Sequence, residues 1–220
     1  MKQLKLKIEL KSACLVGSAE GFGAVIDSDV VFDEIGIPYV PSKRIKGCLR
    51  DSATEVCEML SSAGIKIFDL TKNSSEYLIV NQLFGSPGCE KPSPLFISNL
   101  TVKDYDELRQ WLSYCMEEYQ NIVNPEGIRK YYTEIRQQTS IEKGVAKEGS
   151  LRTCRVLKKG TVFEGTVLLK ENTDSFLMLL SFACLNLTRL GTRRNRGFGE
   201  IRCSLLEGEK ELDFIKQMEG

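Results

Sequence analysis

Histidine is absent from all 220 residues. Without imidazole, Ser-His-Asp and Cys-His catalysis are excluded, as is any RNA cleavage that uses imidazole as general acid or base. Chemistry here must rest on carboxylates, lysine, tyrosine, thiols or a bound metal. Pairs of the form C-x-x-C are also missing. The eight cysteines stand singly at 14, 48, 57, 89, 115, 154, 184 and 203, mostly within apolar segments. That scatter reads as buried free thiols, and with no histidine available no zinc is expected. Long apolar runs are lacking too. The longest, Phe176 to Leu187, is interrupted by Cys184 and Asn186 and stops well short of the roughly 20 residues that span a bilayer. The N-terminal stretch alternates lysine with apolar residues and has no secretory core. A cytoplasmic protein with no membrane contact is the expectation.

Net charge is the last absence: 30 basic residues balance 30 acidic ones. The average conceals segregation. Lys43, Arg44, Lys46 and Arg50 face Asp51 alone within 43–51, and Arg189, Arg193, Arg194, Arg196 and Arg202 face Glu200 alone within 189–202. Residues 128–159 hold nine cations, among them Arg136, Lys143 and Arg152, against Glu134, Glu142 and Glu148. Clusters of this kind suit a polyanion, because phosphate binding releases counterions only where cations gather.

The order of elements is that of an α+β protein. Leu4, Leu6, Ile8 and Leu10 alternate with charged residues, which is the period of a strand with one buried face. A Gly-, Asp- and Ser-rich stretch from 16 to 40 has no regular pattern and is long enough to be functional. Ser42 is placed to cap a helix running to about Ser62, with Ile45, Leu49, Ala53, Val56, Cys57 and Leu60 at helical spacing. A short helix or turn is expected near 76–84, a strand over 95–102, and a helix over 104–119 capped by Asp104. A strand over 161–170, a helix from Asp174 to Leu187 and a strand over 200–206 complete the chain. Strand, helix, strand, strand, helix, strand is the ferredoxin-like or RRM-like βαββαβ order, here with a central insertion. A chain of this length with 42% hydrophobic residues can form one domain over 1–220 that carries such insertions.

The sharpest local signal is Gly191-Thr-Arg-Arg-Asn-Arg-Gly-Phe-Gly199, between the last helix and the last strand. Gly191, Gly197 and Gly199 permit close backbone approach and positive φ, while Arg193, Arg194 and Arg196 supply forked donors for phosphate oxygens. It lacks the Walker pattern, and it follows a helix where a dinucleotide fingerprint follows a strand.

This loop resembles the C-terminal glycine-rich loop of the CRISPR-associated RAMP superfamily. Ile37 to Arg50 resembles the proline-led turn and basic helix start of type III backbone subunits, with Lys43 and Arg44 in place of small polar residues. Leu83-Phe-Gly85 with Leu95 to Leu100 resembles the family's central turn and strand. Thr139 to Lys143 through Gly160 to Phe163 resembles its thumb hairpin and following strand, which places a thumb insertion at about 128–155. The resemblance implies a guide-RNA-binding backbone subunit that cleaves bound target RNA through an aspartate in the loop after the first strand. Ala24-Val-Ile-Asp-Ser28 is similar to that context and makes Asp27 the catalytic residue, holding a divalent ion such as magnesium or orienting the attacking ribose 2′-hydroxyl, with Asp29 and Asp33 as helpers. Ser42, Lys43, Arg44, Lys46, Arg50, Arg136, Lys143, Arg152 and the glycine-rich loop would bind RNA.

The implied partners are guide RNA, target RNA, other RAMP subunits and the large and small subunits of a type III effector complex, with a homo-oligomeric filament as one arrangement. Three other readings stay open: a non-catalytic scaffold of the same complex, a guide-RNA-processing endoribonuclease, and a small-molecule-binding ferredoxin-like domain.

Overall fold

The alternation of Leu4, Leu6, Ile8 and Leu10 becomes strand β1 (Lys2–Leu10), with all four side chains buried. It is the central strand of the sheet in a computed structural model that describes residues 1–17, 29–68, 70–73, 76–86, 92–139, 141–142, 145–170, 174–192 and 197–214.

In chain order the elements after β1 are β2 (Tyr39–Val40), α1 (Ser42–Ser62), β3 (Lys72–Asn73), β4 (Glu76–Tyr77), α2 (Leu78–Phe84), β5 (Leu95–Ile97), β6 (Leu100–Val102), α3 (Tyr105–Glu118) and α4 (Pro125–Tyr132). There follow β7 (Thr133–Gln138), β8 (Ile141–Glu142), β9 (Val145–Ala146), β10 (Arg152–Leu157), β11 (Val162–Leu169), α5 (Asp174–Asn186), β12 (Ile201–Glu207) and β13 (Lys210–Glu211).

The main sheet is antiparallel in the order β13-β12-β1-β11-β6-β2, with β5 also paired to β11. If β5 and β6 are taken as one interrupted strand, the four core strands stand in the spatial order fourth, first, third, second. That is the ferredoxin-like arrangement, and the class is α+β. Helices α1 and α5 pack on one face. Ile45, Leu49, Ala53, Val56 and Cys57 of α1 are buried there, and Ser52 donates to the Ala183 carbonyl of α5 at 2.9 Å. Helix α5 is apolar nearly all round because it is covered on its second side as well. Phe182 meets Phe68 edge-on at 6.1 Å, and Ser181 donates to the Leu212 carbonyl at 2.8 Å.

The opposite face of the sheet is polar. Lys5 pairs with Glu164 at 3.5 Å and Arg202 with Glu211 at 3.0 Å, so alternating charges cover it. Phe96 of β5, whose neighbours Leu95 and Ile97 are buried, stands exposed on it.

Four expectations need correction. The strand over 95–102 breaks at Ser98-Asn99. There Thr166 donates its backbone N–H to the Ser98 hydroxyl at 2.9 Å, and opposite the break a Cβ at Gly165 would strike the Leu100 side chain. The interruption turns Asn99 toward the next layer, as β-bulges do. Its Oδ1 accepts the Ser42 N–H at 2.9 Å. Ser42 is therefore the first helical residue and receives a cap, while Pro41 occupies the N-cap position and makes no side-chain cap bond. Asp104 holds the N-cap position of α3, yet at φ 57° its side chain caps nothing. The fourth correction concerns the basic window. Its first residues belong to α4, which Asn124 caps by accepting the Gly127 N–H at 2.8 Å, so the hairpin is built from β7 and β10 rather than starting at 128.

All seven described cysteines are free thiols. Burial raises the Cys57 thiol to about 11, and Cys184 is raised by its hydrogen bond with Cys203 and by burial. No helix among the described residues is long and apolar enough to cross a membrane.

Because Asn99 rather than the Ser42 side chain satisfies the start of α1, Asn99→Ala should lower unfolding free energy by about 1 kcal/mol. Ser42→Ala should change it by a few tenths at most. Urea denaturation of the two variants checks this, and the reverse ranking would contradict the assignment.

Candidate nucleic-acid interface

The segment after β1 lies between the hairpin and the glycine-rich loop and bonds to both. On one side Cys14 N–H donates to the Leu157 carbonyl at 3.0 Å, and Leu157 N–H returns to the Cys14 carbonyl at 2.8 Å. On the other side Gly199 N–H donates to the Ala13 carbonyl at 2.8 Å, and Thr192 N–H donates to the Leu15 carbonyl at 3.0 Å. Just upstream, Lys11 and Ser12 donate their N–H groups to the Glu200 carbonyl. Residues 11–17 thus tie β10 to the glycine-rich loop. Leu15, Cys154 and Val156 form a small separate core beneath this strap, with Phe198 of the loop packed against it.

Side-chain chemistry follows from this closeness. Cys14 donates its thiol to the Leu190 carbonyl at 3.2 Å. Burial pushes that thiol up to about 12; Cys48 adds to the shift and Arg44 opposes it. Gly191 and Gly199 explain why the loop needs glycine. Both have positive φ, 88° and 77°, and a Cβ at either would collide with backbone, that of Leu15 or Leu190. Gly197 has positive φ as well, but with open space around it. Arg193, Arg194 and Arg196 lie outside the described residues.

The four cations of α1 divide into two pairs. Lys46 donates to the Ser93 hydroxyl and the Leu95 carbonyl, each at 2.9 Å, and burial, followed by the charge of Arg50, lowers its pKa. Arg50 donates to the Gly85 carbonyl at 2.9 Å and to Asn81 Oδ1 at 2.7 Å. This pair fastens the start of the loop after α2, and β5, to the helix. Lys43 is exposed and Arg44 half-buried, and neither makes a side-chain hydrogen bond or ion pair with a described residue. They are the pair left to meet a phosphate.

Asp27 also lies outside the described residues. The carboxylates named as its helpers have structural occupations. Asp29 is buried against Arg155 of β10 at 3.3 Å and accepts the Val30 N–H at 2.7 Å. Asp33 accepts the N–H groups of Ile35 and Ile37 and the Tyr105 hydroxyl at 2.9 Å. Among the described residues no three His, Cys, Asp or Glu side chains gather into a set able to hold a metal ion.

On the hairpin, Arg136 and Arg152 are exposed, while Lys143 lies outside the described residues. Arg136 is held only by Glu134, two residues away on its own strand. An exposed pair of this sort contributes little and exchanges readily for a phosphate. Two residues of consequence carried no sequence signal. Arg155 read as one more cation of the basic window, and Asn99 as one more strand residue. Arg155 joins Asp29, approaches Glu126 at 3.7 Å, and lies 5.9 Å from the Phe32 ring centre. Only the fold brings those groups together.

A family model described as RAMP superfamily matches residues 7–202. No curated protein matches the chain. Among solved structures, a chain of the apo-state cryo-EM structure of Type III-B Cmr-beta superposes with a TM-score of 0.64 at 13% identity, covering 93% of this chain and 97% of that one. A chain of Type III-B Cmr-beta bound to cognate target RNA gives 0.62 at 12% identity, covering 92% and 97%. At such identity the likeness shows a shared fold.

The Asp29–Arg155 pair yields a prediction. Both side chains are less than a tenth exposed, so removing one partner strands a buried charge, which typically costs about 3–5 kcal/mol. Arg155→Met alone and Asp29→Asn alone should each destabilise strongly, and the double substitution should recover much of the loss. Additive losses in a double-mutant cycle would show that the two do not act as a pair.

Proposed function

Since the chain belongs to the RAMP superfamily, we propose that it is a guide-RNA-binding backbone subunit of a type III CRISPR ribonucleoprotein and that it cleaves the bound target RNA through Asp27. The observation that carries the RNA-binding reading is the strap at 11–17. It ties the root of the glycine-rich loop to the hairpin by backbone hydrogen bonds, so two elements remote in sequence share one backbone segment. The superposition on a chain of Type III-B Cmr-beta bound to cognate target RNA supports the same partner class.

In this reading Lys43, Arg44 and the arginines of the loop neutralise the phosphates of the guide, and Arg136 and Arg152 act from the hairpin. Such contacts position a strand without reading its sequence, which base pairing by the guide supplies. The hairpin interrupts the guide–target duplex and exposes one linkage of the target. Asp27, downstream of the strap, accepts the proton of the ribose 2′-hydroxyl there. The 2′-oxygen bonds to the adjacent phosphorus, the 5′-oxygen leaves with its bonding pair and takes a proton from solvent, and the products end in a cyclic phosphate and a 5′-hydroxyl. With Asp29 and Asp33 bound to structural partners, Asp27 carries this step without them.

Two substitutions test the two halves separately. Replacing Arg193, Arg194 and Arg196 with Ala should weaken guide binding for every sequence and flatten its salt dependence by about 0.7 per lost phosphate contact. An unchanged slope would remove the loop from the interface. Asp27→Asn, assayed in the reconstituted complex with and without magnesium, should leave target binding intact and stop cutting. Cutting at the wild-type rate would mean that this subunit is a scaffold or that another residue performs the step.

A further inference from the structure

We infer that the groove between the end of α4 and the turn joining β10 to β11 is a second single-stranded RNA site, taking one base on Tyr131 and flanking phosphates on Lys103 and Lys159. The inference rests on the RNA-binding reading above and extends it to a face that no sequence motif marks.

The groove encloses about 590 Å³ and is lined by Val102, Lys103, Tyr131, Tyr132 and the turn from Lys158 to Val162. That volume suits a nucleotide-sized ligand, since small-molecule sites span roughly 300–1,000 Å³. Its lining holds three lysines and no carboxylate. The lysines have different tasks. Lys158 donates to the carbonyls of Lys130 at 2.9 Å and Tyr131 at 2.7 Å, closing the C-terminal end of α4 and fixing the aromatic pair above the turn. Lys103 and Lys159 are exposed, and their ammonium groups make no hydrogen bond or ion pair with a described residue.

Tyr131 is 73% exposed and stands edge-on to Tyr132, with ring centres 5.0 Å apart and planes at 89°. Tyr132 is half-buried and supports the pair, which leaves a face of Tyr131 to solvent beside two unengaged cations. Burial, then the neighbouring Tyr131, raises the Tyr132 pKa, so its phenol stays a neutral donor at neutral pH. An aromatic face with cations at its side is the minimal equipment for single-stranded nucleic acid, because every base has a π-face and every linkage a negative charge. The groove begins one residue beyond the strap's contact with the hairpin: Leu157, which bonds to Cys14, is followed directly by Lys158.

The test uses the full chain and a short polyuridylate carrying 5-iodouracil. Irradiation should crosslink the RNA to Tyr131. Tyr131→Ala should weaken binding roughly tenfold, and Tyr131→Phe should retain wild-type affinity, because the ring is what stacks. Replacing Lys103 and Lys159 together with Ala should reduce the salt slope by about 1.4, two contacts at about 0.7 each for a single strand. All three positions are exposed, so the variants should melt as the wild type does. If the RNA binds and responds to the loop arginines but crosslinks elsewhere, with Tyr131→Ala unaltered, the groove is not an RNA site and the main interface stands. Should the wild-type chain bind no RNA at all, both readings fail. If Tyr131 instead crosslinks to an acidic segment of a neighbouring subunit in the assembled complex, the groove binds protein and the inference is overturned.

Discussion

Four backbone hydrogen bonds made by residues 13–15 and their neighbours hold the candidate site together. Cys14 exchanges a pair with Leu157, while the carbonyls of Ala13 and Leu15 receive Gly199 and Thr192. The strap has no freedom to serve one side without the other, because its two edges are occupied by different elements. This is also why the glycine-rich loop needs its glycines. A Cβ at Gly191 would enter the backbone of Leu15, so the loop can approach the strap closely only without one. Moving the strap would displace the hairpin root, the loop base and the beginning of the segment that leads to Asp27.

Electrostatics then divides the cations by task. Lys46 and Arg50 secure a neighbouring loop, Lys158 closes a helix end, and Arg155 answers a buried carboxylate. Those charges are committed within the protein. Lys43, Arg44, Lys103 and Lys159 are held by no described side chain, and Arg136 has only an exposed partner on its own strand. A net charge of zero is therefore compatible with polyanion binding, since part of the basic charge remains available while the rest is committed internally. The polar open face of the sheet, where opposite charges are interleaved, contributes little to such a field.

Much of this was legible from local patterns. Period-two alternation at residues 4–10, helical spacing from Ile45 to Cys57 and the apolar run after Asp174 are short-range signals, and each became the expected element. What escaped depends on distant partners. The break at Ser98-Asn99 requires knowing that Gly165 lies opposite and that the start of α1 needs an acceptor. The structural roles of Asp29 and Asp33 require Arg155 and Tyr105, which are 126 and 72 residues away. A loop aspartate with free acceptors and one buried in an ion pair look the same in sequence. Helix α4 is a different matter, because Asn124-Pro125 with Glu126 in the first turn and Arg129 and Lys130 in the last is a local helix signal. The surrounding basic window hid it.

The central claim is that one strap couples the hairpin and the glycine-rich loop into a single RNA interface. Amide hydrogen exchange, followed with and without single-stranded RNA, tests it most directly. The amides of Cys14, Leu157, Thr192 and Gly199 should exchange together in the free chain and slow together when RNA binds. RNA that protects Thr192 and Gly199 while leaving Cys14 and Leu157 unchanged, or the reverse, would contradict it.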